Sequence, residues 1–206
     1  RRSQRTGKNK GVKYMINVIF STDFFFTTIR VMTPILFAAL ACMIFTKGGI
    51  DSIGTEGIML TCALAAPLGS YITKSAILGV IIAMIIGALL SCLFGYVTIS
   101  LKSEPVLAGI ALNTLASGLT IFVIYYATGE KGSTQSLNSP TVANVQIPLL
   151  KEIPILGDIF SGHSVLTYLG ILITVLLAFL IYKTPTGLRI RSVGENPEAA
   201  KSVGIS

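Results

Sequence analysis

Side chains able to do chemistry are scarce in these 206 residues, and they do not cluster. Asp51 and Glu56 stand in Lys47-Gly-Gly-Ile-Asp-Ser-Ile-Gly-Thr-Glu56, a glycine-rich stretch between two apolar runs. Asn113 is the one strongly polar side chain inside a long apolar run. At helical spacing it shares a face with Gly109 and Ser117, which suits either a polar, solute-lining face or a single hydrogen bond between helices. His163 is the only histidine and precedes the last apolar run, where a polar cap is the plainer role than a proton relay. Cys42, Cys62 and Cys92 all lie inside apolar runs and are odd in number, as small packing residues would be and a disulfide or metal framework would not. There is no glycine-rich phosphate loop with its lysine, no nucleophile–base pair and no metal-ligand spacing. What remains is binding chemistry, not catalysis.

The composition says where that binding takes place. Hydrophobic residues make up 52% of the chain, charged residues 12%, and the mean hydropathy is +0.77. A soluble domain carries about 25% charged residues, so the polar surface needed to cover one is missing. Soluble enzyme, disordered tail and disulfide scaffold are excluded together. The reading is an all-α, polytopic transmembrane helix bundle.

A helix crossing a hydrocarbon core of about 30 Å needs about 20 apolar residues. Three uncharged runs reach that: Ser75–Leu101, Pro105–Gly129 and Ile159–Tyr182. Two more, Val31–Thr46 and Gly57–Thr73, are short. Between the short pair lies the glycine-rich stretch, either an aqueous loop or a break embedded in the membrane. Ser75, Gly79, Ala83, Gly87, Ser91 and Gly95 recur every fourth residue, and Cys62, Ala66 and Ser70 repeat the pattern in the preceding run. Such stripes let helices approach closely where lipid supplies no hydrophobic drive between them.

The chain thus divides into a basic arm with an interfacial segment over 1–28, a bundle of about five apolar segments over 29–182, and a cytosolic segment over 183–206. A polar stretch over 130–162, poor in cations, suits an external loop. The net charge of +7 sits mainly at the ends: Arg1, Arg2, Arg5, Lys8, Lys10 and Lys13 at the start, and Lys183, Arg189, Arg191 and Lys201 after the last run. Flanking clusters of this kind answer to membrane lipid and the positive-inside bias, not to nucleic acid. Five runs place the two ends on opposite faces, although both are basic; a further membrane-entering segment would restore parity. In the tail, Asn196 reads as a helix cap, Pro197 as the first helical residue, Glu198 as the complement of the positive helix end, and Gly204 as the stop.

Three stretches together resemble one family. Thr28-Ile-Arg-Val-Met-Thr-Pro34 through Gly48–Met59 is similar to the first block of ABC importer permeases of the simple-sugar, ribose and branched-chain amino acid class. Val106-Leu-Ala-Gly-Ile-Ala-Leu-Asn-Thr-Leu115 resembles the nucleoside-type subgroup, and Thr186–Ala200 resembles the cytosolic coupling segment that follows a span. The resemblance implies a type II ABC importer-like permease subunit in a bacterial plasma membrane. It would pair with a second permease, identical or not, and work with cytosolic ATP-binding subunits and an extracellular solute-binding protein. Gly194, Glu195, Asn196, Pro197, Ala199 and Ala200 would contact the ATPase. Gly49, Asp51, Gly54 and Glu56 would sit at a bend near the solute pathway, which favours the embedded break, and Asn113 would face the same pathway. The chain itself would hold no cofactor; ATP and Mg would reside on the partner. Nucleosides are the first expected solute and simple sugars the second. Members of the family continue with more spans after the coupling segment, and the chain before Tyr14 lacks the extra first helix of many sugar-type members, so an incomplete pathway is expected. Two readings stand beside this one: an ion-coupled carrier or channel using Asp51, Glu56 or His163, and a structural scaffold without solute flux.

Overall fold

The computed structural model describes residues 22–129, 139–143 and 161–205, most of them helical. The basic arm before residue 22 and most of the 130–162 stretch lie outside the described residues. The helices are α1 (Thr22–Lys47), α2 (Thr55–Thr73), α3 (Ala76–Gly95, continued by a wider π turn over Tyr96–Ser100), α4 (Pro105–Thr128), α5 (Val165–Lys183), α6 (Pro185–Glu195) and α7 (Pro197–Ser202). Four of them are long and apolar enough to cross a membrane: α1, α3 with its π turn, α4 and α5. The fold is a polytopic helical bundle, as its composition requires.

The first apolar run is not short. The helix runs from Thr22, seven residues upstream of the edge expected for the bundle, and takes in Asp23 and Arg30 over 26 residues. At 1.5 Å per residue it is about 39 Å long, enough to span. Asp23 sits in the first turn, where a carboxylate complements the positive helix end. Arg30 is exposed, and its long apolar stem lets the charged head reach for water. Both charges are therefore tolerated by position.

The described residues fall into two compact units. One comprises 22–36, 143 and 161–173. Here Phe26 stacks on His163 with ring centroids 4.3 Å apart, and the hydroxyls of Thr33 and Thr167 lie 3.0 Å apart. Both pairs advance in the same chain direction, so the first turns of α1 and α5 run parallel. His163 is buried among these groups, with the Tyr168 ring edge-on to it.

The other unit comprises 37–129, 139–142 and 174–205. Its centre is an antiparallel hairpin of α2 and α3, turned at Lys74, which takes a left-handed backbone (φ 53°). The two stripes of small residues meet there. A methyl built on Gly79 would fall 2.7 Å from the Ala66 carbonyl and from Ser70 Cβ, and one on Gly87 would fall 2.7 Å from Cys62 Sγ. The contact runs as far as Gly87 but does not reach Gly95, where nothing lies within 4 Å of the Cβ position. Small residues share the core with a few large ones: Ala65, Ala83 and Ala116 are buried with Leu64, Phe94 and Ile124, while Ile72, Ile77, Met84, Leu89 and Tyr126 are exposed. An outward apolar surface of this kind is stable in lipid or against another subunit.

Candidate functional site

The site forms where α1 ends. Helix α1 closes with a Schellman turn: Ile50 N–H donates to the Phe45 carbonyl (3.1 Å) and Gly49 N–H to the Thr46 carbonyl (3.1 Å), with Gly49 at φ +84°. Gly49 is therefore a helix stop first, because a side chain in this left-handed conformation would be strained. The chain then runs as a link over 48–54 into α2.

The tail returns to the same place. Thr184 caps α6 by accepting from Gly187 N–H (3.3 Å), Pro185 occupies the first helical position, and the chain turns sharply because Gly187 lies directly on the Leu180 and Ile181 backbone. At the far end of α6, Gly194 meets α1 and the link backbone to backbone. A methyl on Gly194 would overlap the Lys47 carbonyl, and one on Gly49 would fall 2.7 Å from the Gly194 carbonyl oxygen. Beside this contact is an open cleft of about 520 Å³ lined by Thr46, Lys47, Leu188, Arg191, Ser192, Gly194 and Glu195. The Arg191 guanidinium lies over the Tyr182 ring, 5.6 Å from its centroid, and its Nε is buried without a hydrogen-bond partner.

Asn196 then ends α6 and starts α7. Its Oδ1 accepts from Glu198 N–H (3.1 Å) and Ala199 N–H (3.0 Å), Pro197 follows at the first helical position, and Gly204 (φ +80°) stops the helix as Ile205 N–H donates to the Ala200 carbonyl (3.0 Å). Glu195, Asn196, Pro197 and Ala199 are exposed. Ala200, expected to meet the ATPase, is only 3% exposed and packs against its own chain. Gly194 is likewise engaged with α1 and the link. Of the six residues expected to meet an ATPase, Glu195, Asn196, Pro197 and Ala199 are thus the exposed ones.

The other end of the link is held by α4. Gly54 seats against Gly109 and Leu112. Asn113 accepts at Oδ1 from Gly57 N–H (2.8 Å) and donates from Nδ2 to the Ile53 carbonyl (3.0 Å). This orientation of the amide is the one that gives each backbone group a complementary partner. Gly57 is the third residue of α2, so Asn113 caps that helix from a neighbouring one, where Gly54 has no side chain to do so. Both ends of the amide are thus committed to backbone. Asp51 and Glu56 are exposed, and Glu56 stands in the first turn of α2 beside its positive end. Near the link, Phe45 and Phe94 meet edge to face, with centroids 6.0 Å apart. The structure thus seats Gly49 on Gly194 at one end of the link and Gly54 on α4, beside Asn113, at the other.

Residues 24–206 match the family described as branched-chain amino acid transport system / permease component. The chain belongs to this permease family. Among the similar proteins are the nucleoside ABC transporter permease protein NupC of Lactococcus lactis (32% identical, covering 84% of this chain and 56% of the relative) and the guanosine ABC transporter permease protein NupQ of Bacillus subtilis (35%, covering 87% and 58%). A putative glucose ABC transporter permease protein, TsgC13 of Haloferax volcanii, is 30% identical over 90% of this chain and 56% of its own length. This permease-family chain therefore spans a little over half the length of the relatives it matches. No solved structure matches it. The geometry gives this member a short, capped helix at the end of an amphipathic one, fixed by glycine contact to the end of a membrane-crossing helix.

Proposed function

We propose that this chain forms part of a permease subunit of an ATP-driven ABC importer in the cell membrane, and that it contributes to one half of a transmembrane solute pathway. The observation that carries the reading is the seat of α6 and α7. Asn196 preorganises α7 with Glu195, Pro197 and Ala199 exposed, and Gly194 fixes this unit to the end of α1. A preformed exposed helix is suited to a groove on a partner, and a backbone-to-backbone seat carries its displacement without loss to side-chain rotation.

In this reading a cytosolic ATPase binds the α6–α7 segment, and ATP and Mg are held by that ATPase. A second permease completes the pathway, and an extracellular binding protein delivers the solute. Alternation between outward and inward access follows from the rigid motion of the seated segment. Nucleosides are the proposed solute class, supported by the names of the lactococcal and Bacillus relatives. Simple sugars are second, supported by the haloarchaeal one.

The test is an affinity pull-down of the natural protein in mild detergent, wild type beside Glu195→Ala/Pro197→Ala. An ATPase that accompanies the wild type and is lost with the double variant supports the reading. Absence of an ATPase from both removes it.

A further inference from the structure

The link over 48–54 touches the α6–α7 segment at one end and α4 at the other, and only the second attachment adds side-chain hydrogen bonds to a close backbone contact. At Gly49 two backbones meet with no side chain between them, so displacement of Gly194 must displace the link. At the other end the α4 backbone at Gly109 comes up against the link, where a methyl on Gly109 would fall 2.8 Å from Gly54 N, and the Asn113 amide adds hydrogen bonds to the last residue of the link before Gly54 and to the first turn of α2 at once. Gly54 lies in the same seat, close to Gly109 and Leu112 of α4.

Resting on the importer reading above, we infer that Asn113 is a positioning residue for transport. It couples the link to α4, so that motion of the α6–α7 segment reaches α4 through Gly194, Gly49 and Ile53, and not through α5 alone. On this account the Asn113 amide acts by holding backbone, with one bond from its oxygen and one from its nitrogen. The two bonds divide the work. The bond to Gly57 caps α2 and would serve a purely structural role, whereas the bond to Ile53 holds the link itself.

Spatial intermediacy alone does not establish coupling, so the test reads the response of α4 directly and does not depend on the solute. Cys42, Cys62 and Cys92 are replaced by Ala, and Glu104→Cys, at the N-terminal cap of α4, serves as the reporter. Labelling by a membrane-impermeant maleimide is measured on the complex with its ATPase, nucleotide-free and trapped with ATP and vanadate. With Asn113 present the two rates differ by about fivefold or more, the lower end of ordinary coupling between sites. Asn113→Leu abolishes the difference. So does Asn113→Asp, whose ionised form still accepts from Gly57 but has no hydrogen for Ile53. In both variants the ATPase stays bound and ATP hydrolysis stays within about twofold of wild type, a change too small to count as lost coupling. An unresponsive reporter with Asn113 present, or a full response in Asn113→Asp, overturns the inference. Failure of the wild type to bind an ATPase at all would instead overturn the importer reading, and the pull-down separates the two.

Discussion

Gly194 and Gly49 meet backbone to backbone, and neither position has room for a methyl group. Two glycines separated by most of the chain thus seat the α6–α7 segment on the end of α1. Gly194→Ala is expected to cost ~1–3 kcal/mol, the usual range for overpacking. Gly49→Ala adds a left-handed conformation worth roughly 1–2 kcal/mol more. Gly118→Ala, in open space on α4, is expected to be neutral or stabilising by up to about 1 kcal/mol. Melting of the purified protein in detergent checks all three. Equal melting temperatures for Gly194→Ala and Gly118→Ala would contradict the seat.

The cap of α7 gives a second prediction. Helix α7 has only six residues, so its order depends on Asn196. Asn196→Ala should cost ~1 kcal/mol of local helix stability, whereas Asn196→Asp, which caps equally well, should not. The corresponding readout is affinity for the ATPase, expected to fall about fivefold for Ala by that ~1 kcal/mol and to hold for Asp. Equal loss in both would assign Asn196 a direct contact instead of a cap.

The partly used stripe on α3 gives a third. Gly79→Ala must displace Ser70 or the α2 backbone and should destabilise by ~1–3 kcal/mol. Gly95→Ala meets nothing within 4 Å and should be silent in the isolated chain. Thermal unfolding of the two variants side by side distinguishes them; a silent Gly79→Ala would mean that α2 and α3 do not pack as described.

Much of this was legible in the residues. Apolar run length and the absence of charge located α3, α4 and α5, and the Asn196-Pro197-Glu198 grammar located α7, because these depend on local physics alone. The start of α1 was obscured because Asp23 and Arg30 interrupt the apolar count, although a first-turn carboxylate and a long arginine stem cost a helix little. The helix stop at Gly48-Gly49 was in principle readable, since Gly after a lysine-ended helix is its usual signature. The four-residue spacing gave the α2–α3 contact but not its extent, as nothing along one helix says where its neighbour ends. The trans cap by Asn113 and the Gly194–Gly49 seat join residues far apart in sequence. Only the fold brings them together.

The account rests on ATP as the energy source, and transport by the natural protein tests this most directly. The protein is reconstituted in vesicles with its ATPase and solute-binding protein, and uptake of tritiated guanosine is followed with ATP, with an imposed proton or sodium gradient, and with both. Uptake is expected to require ATP and to survive collapse of either gradient. Uptake driven by a gradient alone, with no need for ATP, would contradict it.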